Sequence, residues 1–201
     1  MRRSPTIIIF LLCVLAVAPA ANSAEPRIPA SAEEWSSFTA AERRAALAYT
    51  HDQFEASLRN GTAVVHTIGR SDSGDLEQST GDVSALAISV DWNCPIQWID
   101  QVGSSYTRGG GWTSTSSNVY YLAASRVGKK GQFTRDGVLV GTWYHEASGS
   151  VNHVENWSAW NHRWSWEHFN FVNKGWHGAR QTNGGTWLLG PDRPCSVSVF
   201  R

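Results

Sequence analysis

The segment NWSAWNHRWSWEHFNF, Asn156 to Phe171, places four tryptophans, two histidines and two phenylalanines within sixteen residues. Indoles offer broad apolar faces and one N–H each, and imidazoles donate or accept near neutral pH. This is chemistry for holding a ligand more than for breaking a bond. As a strand, the segment puts Trp160, His162, Trp164, Trp166 and His168 on one face, and Arg163, Ser165, Glu167, Phe169 and Phe171 on the other. As a helix it aligns Trp157, Trp160, Trp164 and Phe171 instead. The neighbouring pattern favours strand, and Trp and Phe suit a pleated surface. Such a face either lines a core or forms a wet platform. A wet platform suits the apolar face of a sugar ring or the interfacial zone of a bilayer. The candidate ligand-binding residues are therefore Trp157, Trp160, His162, Trp164, Trp166, His168 and Trp176, with Asn161, Arg163 and Asn170 supplying orienting hydrogen bonds.

Other reactive groups are present without a diagnostic arrangement. His145, His153, His162, His168 and His177 crowd the last third, near Glu146 and Glu155. They lack the helical H-x-x-x-H or H-E-x-x-H spacing of a zinc site, so no metal and no cofactor is expected. Glycoside cleavage needs two carboxyl groups facing each other across a cleft. Glu146, Glu155 and Glu167 lie on expected strands in the aromatic half and are the acids available for that role. GRSDSG, Gly69 to Gly74, falls one residue short of G-x-S-x-G and is expected in a turn with no helix after it.

Two short segments resemble known families. WTSTS, Trp112 to Ser116, resembles the aromatic-x-Ser-Thr-Ser strand of ADP-ribosyltransferases. That resemblance would give the accompanying arginine and glutamate roles to Arg70 and Glu155. Thr113 stands where that family prefers an apolar residue, and His153 stands where it has Gln or Glu. GRSDSG followed by DWNCP, Asp91 to Pro95, is similar to paired segments of the aegerolysins. Those are small β-sandwich proteins that bind membrane lipids, and they lack a counterpart of the N-terminal helix found here.

These side chains must be positioned by an exported scaffold. Arg2 and Arg3 precede the apolar run Ile7 to Val17, and small residues follow in APAANSA, so residues 1–24 read as a cleaved signal peptide. The run is too short to span a bilayer, and no second one follows. Cys94 and Cys195 remain, and an oxidising compartment makes a disulfide between them the expectation. It would close a loop of about 100 residues and stabilise by roughly 4–5 kcal/mol through chain entropy.

Residues 25–61 read as helical. Thr39 and Glu42 form a capping box, and Leu47, His51, Phe54 and Leu58 make a stripe ending at Asn60-Gly61. A second, shorter cap is expected at Ser31, before Trp35. From residue 62 to 201 the period becomes two. Leu86, Ile88, Val90 and Trp92 alternate, as do Val119, Tyr121 and Ala123. GQFTRDGVLVGTWYH is a hairpin turning at Asp136-Gly137, and CSVSVFR is a closing strand. SDSGD, RGGG and TNGG read as spacers. The expected fold is mainly β: an antiparallel β-sandwich or partly closed barrel, with an N-terminal α-helix packed on it to form one globular unit.

Seventeen basic and seventeen acidic residues leave no basic surplus, and Lys129-Lys130 is a lone pair beside glycines, so nucleic acid is not an expected partner. Asn60-Gly-Thr and Asn156-Trp-Ser match the glycosylation sequon. The chain therefore reads as a secreted binding protein, extracellular or periplasmic. Its expected partner is a cell-envelope glycan or membrane lipid, approached through the region Trp143 to Trp187, with a lytic or toxin-like role as an extension. Binding is favoured over catalysis. A secreted hydrolase using a carboxylate or histidine, or an ADP-ribosyltransferase-like enzyme, remains the alternative.

Overall fold

The computed structural model describes residues 25–69, 72–76, 88–115, 122–125, 129–144, 153–181 and 187–201. The expected signal segment lies outside them. Two antiparallel sheets face each other, with a helical layer against the outside of the first, so the expected β-sandwich with an N-terminal helix is what forms.

Two helices precede the strands: α1, Ala32–Ser37, and α2, Ala40–Arg59. Ser31 caps α1 by accepting the Glu34 N–H. Thr39 and Glu42 cap α2 reciprocally, as their spacing implies: Thr39 Oγ1 accepts the Glu42 N–H at 3.2 Å and Glu42 accepts the Thr39 N–H at 2.7 Å. Gly61, at φ +66°, carries the chain out of α2. The buried stripe of α2 differs from the expected one. It is Ala46, Thr50 and Phe54, whereas Leu47 and Leu58 stay exposed. The sheet beneath presents large rings, so small helix residues make the closer fit, with Phe54 as the one large insert.

The first sheet comprises β1 (His66–Ile68), β2 (Asp72–Leu76), β3 (Ile88–Asn93), β4 (Ile96–Gln101), β5 (Ser104–Thr115), β9 (His153–Trp157) and β10 (Asn161–Trp164). The long central strand β5 pairs along one edge with β4 and β3 and along the other with β10 and β9. The second sheet runs β12 (Trp187–Phe200), β11 (Asn170–Gln181), β7 (Lys129–Arg135), β8 (Val138–Trp143), with β6 (Leu122–Ser125) also on β11. The β7–β8 hairpin turns at Asp136 and Gly137, with φ of 48° and 80°, the backbone that an Asp-Gly turn supplies.

Three sequence expectations need correction. Asp72 to Asp75 of SDSGD lie in β2, and RGGG lies inside β5, so neither is a spacer. The Trp/His segment is not one strand: β9 ends at Trp157, β10 spans Asn161–Trp164, and the backbone turns before β11 begins at Asn170. TNGG, Leu86, Val119 and Tyr121 lie outside the described residues.

The glycines of RGGG are needed because rings cross β5 closely on both faces. A Cβ on Gly109 would lie 2.7 Å from Phe133 and Asn173 atoms. One on Gly110 would meet Trp157 at 2.3 Å, and one on Gly111 would meet Trp143 at 2.1 Å. Trp143, from β8, fills the space between the sheets. Gly131 and Gly175 approach its ring as closely from the second sheet. Its Nε1 donates to Asn173 Oδ1 at 2.9 Å, and Asn173 Nδ2 donates to the carbonyls of Pro95 at 2.8 Å and Gly110 at 2.6 Å. Beside it, Cys94 is joined to Cys195, linking β12 to the β3–β4 bend as the two cysteines imply. Further along, Ile96, Phe133 and Phe171 form a buried cluster, with Phe133 and Phe171 stacked at 5.5 Å.

Gly111→Ala forces its new methyl against Trp143. The expected result is a loss of about 1–3 kcal/mol from overpacking, read from the urea midpoint. Gly61→Asn, where a Cβ meets nothing within 4 Å but φ is +66°, is expected to cost up to about 1 kcal/mol, since Asn tolerates the left-handed region better than other side chains.

Candidate functional site

Side chains on β5 alternate between the core and the outer face. Thr107, Gly109, Gly111 and Thr113 point inward, while Tyr106, Arg108, Gly110 and Trp112 point outward. The outer face is divided in two. One half is covered by the helices. Phe54 stacks on Tyr106 at 4.0 Å, with Ile99 beside them. Trp164 packs with Phe38 and Ala46, and Trp35 leans on it at 5.0 Å.

The other half is an open groove of about 420 Å³. It crosses the sheet over the bend between β3 and β4. Trp112 from β5 and Trp157 from β9 provide indoles, and Asn93 from β3, Gln97 from β4 and Thr67 from β1 provide polar groups. His153 and Glu155 of β9 complete one wall. The register sets Glu155 opposite Trp112 and Trp157 opposite Gly110, so Trp157 lies over a residue that has no side chain.

The walls are held by specific contacts. The Trp157 Nε1–H donates to Glu155 Oε1 at 2.5 Å, and His153 Nε2 stands 3.6 Å from Glu155 Oε2. The Arg108 guanidinium lies between two indoles, 4.5 Å from Trp157 and 4.3 Å from Trp160. Gln97 Oε1 accepts from Arg108 at 2.8 and 3.1 Å. Burial lowers the Arg108 pKa, with the Glu155 charge opposing that shift. The cation is thus a fixed spacer between helix layer and groove. Asn93 is only 9% exposed, and among the described residues its Oδ1 has no hydrogen-bond partner. A buried acceptor left unpaired beside an open groove is a place for a ligand donor.

The seven expected ligand residues are distributed over five places. Trp157 is in the groove. Trp160 is half-buried between Phe54 and Arg108. His162, Trp164 and Trp166 do share the expected side, but helices cover them. Trp164 is 3% exposed, Trp166 packs on its cluster, and His162 Nε2 lies 3.5 Å from Thr50 Oγ1. His168 is exposed in the turn, stacked on Phe200 at 6.1 Å. Trp176, on β11, points outward from the second sheet, away from the groove, since Phe171, Asn173, Gly175 and His177 point inward. Trp143 is in the core, and Trp187's side chain lies outside the described residues.

The expected orienting groups are structural. Arg163 is buried, and its guanidinium donates to the Glu167 carbonyl at 2.6 Å, closing the turn after β10. Asn161 donates to the Ala159 carbonyl, and Asn170 starts β11 with its N–H on Asp136. Glu167 accepts the Trp164 N–H, so of the three candidate acids Glu155 is in the groove, Glu167 is in a turn and Glu146 lies outside the described residues. Arg70, the arginine implied by the ADP-ribosyltransferase resemblance, also lies outside them. Residues Trp112 to Thr115 end β5. Sequence reasoning missed Trp112, Asn93, Gln97 and Thr67 as groove residues. The available signal was a tryptophan directly after a glycine run.

No helix among the described residues is long and apolar enough to cross a membrane. No family model and no curated protein matches this chain. Among solved structures, the KRT10-binding region domain of the pneumococcal serine-rich repeat protein PsrP aligns over 67% of this chain and 98% of its own, at 10% identity and a TM-score of 0.24. A likeness that loose says nothing about function.

Two histidines under this face are held neutral. Burial pushes His177 down to about 4, and burial with smaller contributions from Arg135 and His51 does the same to His162. Their unfolded values lie near ~6.5, so between these limits the unfolded chain binds more protons. Stability is therefore complete above about pH 6.5 and falls as pH drops toward 4. Between pH 6.5 and 5.5, the slope of unfolding free energy against pH is expected to be positive and to shrink in a folded His162→Gln variant. An unchanged slope would show that His162 binds protons alike in the native and unfolded chains.

Proposed function

We propose that the protein is an exported binding protein that takes a glycan of the cell envelope in the groove beside Trp112 and Trp157. The observation that carries this reading is the pairing of two outward indoles with a buried amide oxygen on Asn93 that has no partner among the described residues. A sugar ring matches both. Its C–H face sits on an indole, and its hydroxyls donate to Asn93 and exchange hydrogen bonds with Gln97 and Thr67. Preset walls lower the ordering cost of binding, and Arg108 and Glu155 fix Trp157 before any ligand arrives. The Cys94–Cys195 bond supports an oxidising, extracytoplasmic location. A bilayer surface is the rival partner, favoured by exposed Val102, Val138 and Phe200, which lie apart from the groove residues.

The test sets soluble and insoluble envelope glycans against lipid vesicles. Glycan retention that falls at least tenfold in Trp112→Ala and Trp157→Ala supports the groove, a loss of about 1.4 kcal/mol or more per indole. Vesicle binding with glycan binding absent would move the function to the lipid reading. Trp164→Ala is expected to cost about 3–5 kcal/mol of stability through the helix layer. Turnover of a glycan that disappears in folded Glu155→Gln would replace the binding reading with a hydrolase.

A further inference from the structure

Beneath the groove, on the inner face of the same strands, three groups converge that the binding reading does not use. Cys94 follows Asn93, Thr113 follows Trp112, and His177 reaches in from β11. His177 is fully buried and aims Nε2 at both sulfurs, 3.0 Å from Cys195 Sγ and 3.4 Å from Cys94 Sγ. One ligand atom from each of the three residues lies within 4.8 Å of the others. The remaining ring nitrogen, Nδ1, is 2.9 Å from Thr113 Oγ1.

A disulfide alone explains two cysteines. It does not explain an imidazole set between their sulfurs with its other nitrogen fixed by a hydroxyl. That arrangement is how a metal-binding histidine is held, one nitrogen on the metal and the other oriented by a hydrogen bond. We propose that Cys94, His177 and Cys195 form a divalent-metal site when the two cysteines are thiols, either before the bond closes or after a dithiol opens it. The ligand set, two thiolates and one imidazole, suits zinc with a water in the fourth position. The charges favour it too. A 2+ ion, two thiolates and a neutral imidazole sum to zero, and a neutral unit is what a dry interior holds at least cost. Trp143, 5.7 Å from the His177 ring, closes one side of the space.

The steps balance. A dithiol closes to its own disulfide and passes two electrons and two protons to Cys94 and Cys195. The metal then displaces those two protons and binds the thiolates. Reoxidation requires the metal to leave, so the site is either bridged or metal-bound, never both.

The experiment uses the full exported chain, reduced with a metal-free phosphine and titrated with Co²⁺ and then Zn²⁺. The expected result is one equivalent of Co²⁺ with a thiolate-to-cobalt charge-transfer band and the strong visible bands of a four-coordinate ion, bleached by Zn²⁺. Zn²⁺ is also expected to raise the melting temperature of the reduced protein and leave the oxidised protein unchanged. Thr113→Val keeps all three ligands and is expected to weaken Zn²⁺ binding about 10-fold or more. His177→Gln is expected to abolish the cobalt spectrum. If that variant does not fold, Cys195→Ser, with the charge-transfer band reduced, serves in its place. A reduced protein whose melting point ignores Zn²⁺, a spectrum that lacks the charge-transfer band, or equal binding by the oxidised protein would each overturn the proposal. Glycan binding by the oxidised protein is read separately, so the two proposals fail independently.

Discussion

One indole holds the two sheets together. Trp143 lies between glycines of both sheets and donates to Asn173, whose amide in turn donates to the carbonyls of Pro95 and Gly110. Those two carbonyls belong to the β3–β4 bend and to the centre of β5. A buried amide with both ends satisfied fixes a distance and an orientation, whereas apolar contact fixes mainly an area. The relative placement of the sheets is therefore set by a hydrogen-bonded link through a ring, and the surrounding apolar residues fill the space it defines. The disulfide lies against the same slot, where a Cβ on Gly175 would meet Cys94 Sγ at 2.8 Å. The covalent link and the ring reinforce one junction.

The outer face inherits its geometry from that junction. With Gly111 committed to Trp143 on the inside, its neighbour Gly110 faces out and receives Trp157. Two rings thus cross one strand at adjacent residues from opposite sides, which no pair of side-chain-bearing residues would permit. The helix layer ends where this crossing begins. Trp160, Arg108 and Trp157 form a stack from Phe54 to the groove, so the cover on one half of the sheet also steadies the wall of the other half. The polar groups of the groove come from four strands, and only their pairing to β5 and β4 brings them together.

Much of the scaffold was legible in the sequence. The capping box at Thr39 and Glu42, the Asp136-Gly137 hairpin and the Cys94–Cys195 link are local or pairwise signals with few alternatives. The shared side of Trp160, His162 and Trp164 was legible as well, because strand alternation depends on the residues alone. What covers a face does not. The rings expected to be wet meet α1 and α2, whose own burial uses Ala46 and Thr50, residues too small to stand out in a hydrophobic pattern. The RGGG run misled for a related reason. Glycine in a flexible spacer and glycine under a crossing ring look alike until the ring is placed. Trp112 was not read as a groove residue because one tryptophan inside a Gly/Ser/Thr stretch has no periodic partners, and the groove is completed only by distant strands.

A sheet one residue thick has a further consequence. Asn93 and Cys94 are consecutive, as are Trp112 and Thr113, so each pair sends one side chain to the groove and the next to the Cys94–His177–Cys195 cluster. The groove and the cluster therefore share backbone. Pro95 adds rigidity at the bend, because its fixed φ removes one of the torsions through which Cys94 could shift without Asn93. Its carbonyl is also the one held by Asn173. A change in how the sulfurs are joined must then be absorbed by side-chain torsions at Cys94 and Cys195 or passed to Asn93. Burial of both cysteines among Trp143, Gly175 and His177 leaves little room for the first route. Asn93, whose Oδ1 has no hydrogen-bond partner among the described residues, is thus the groove residue bonded directly to a half-cystine of the core.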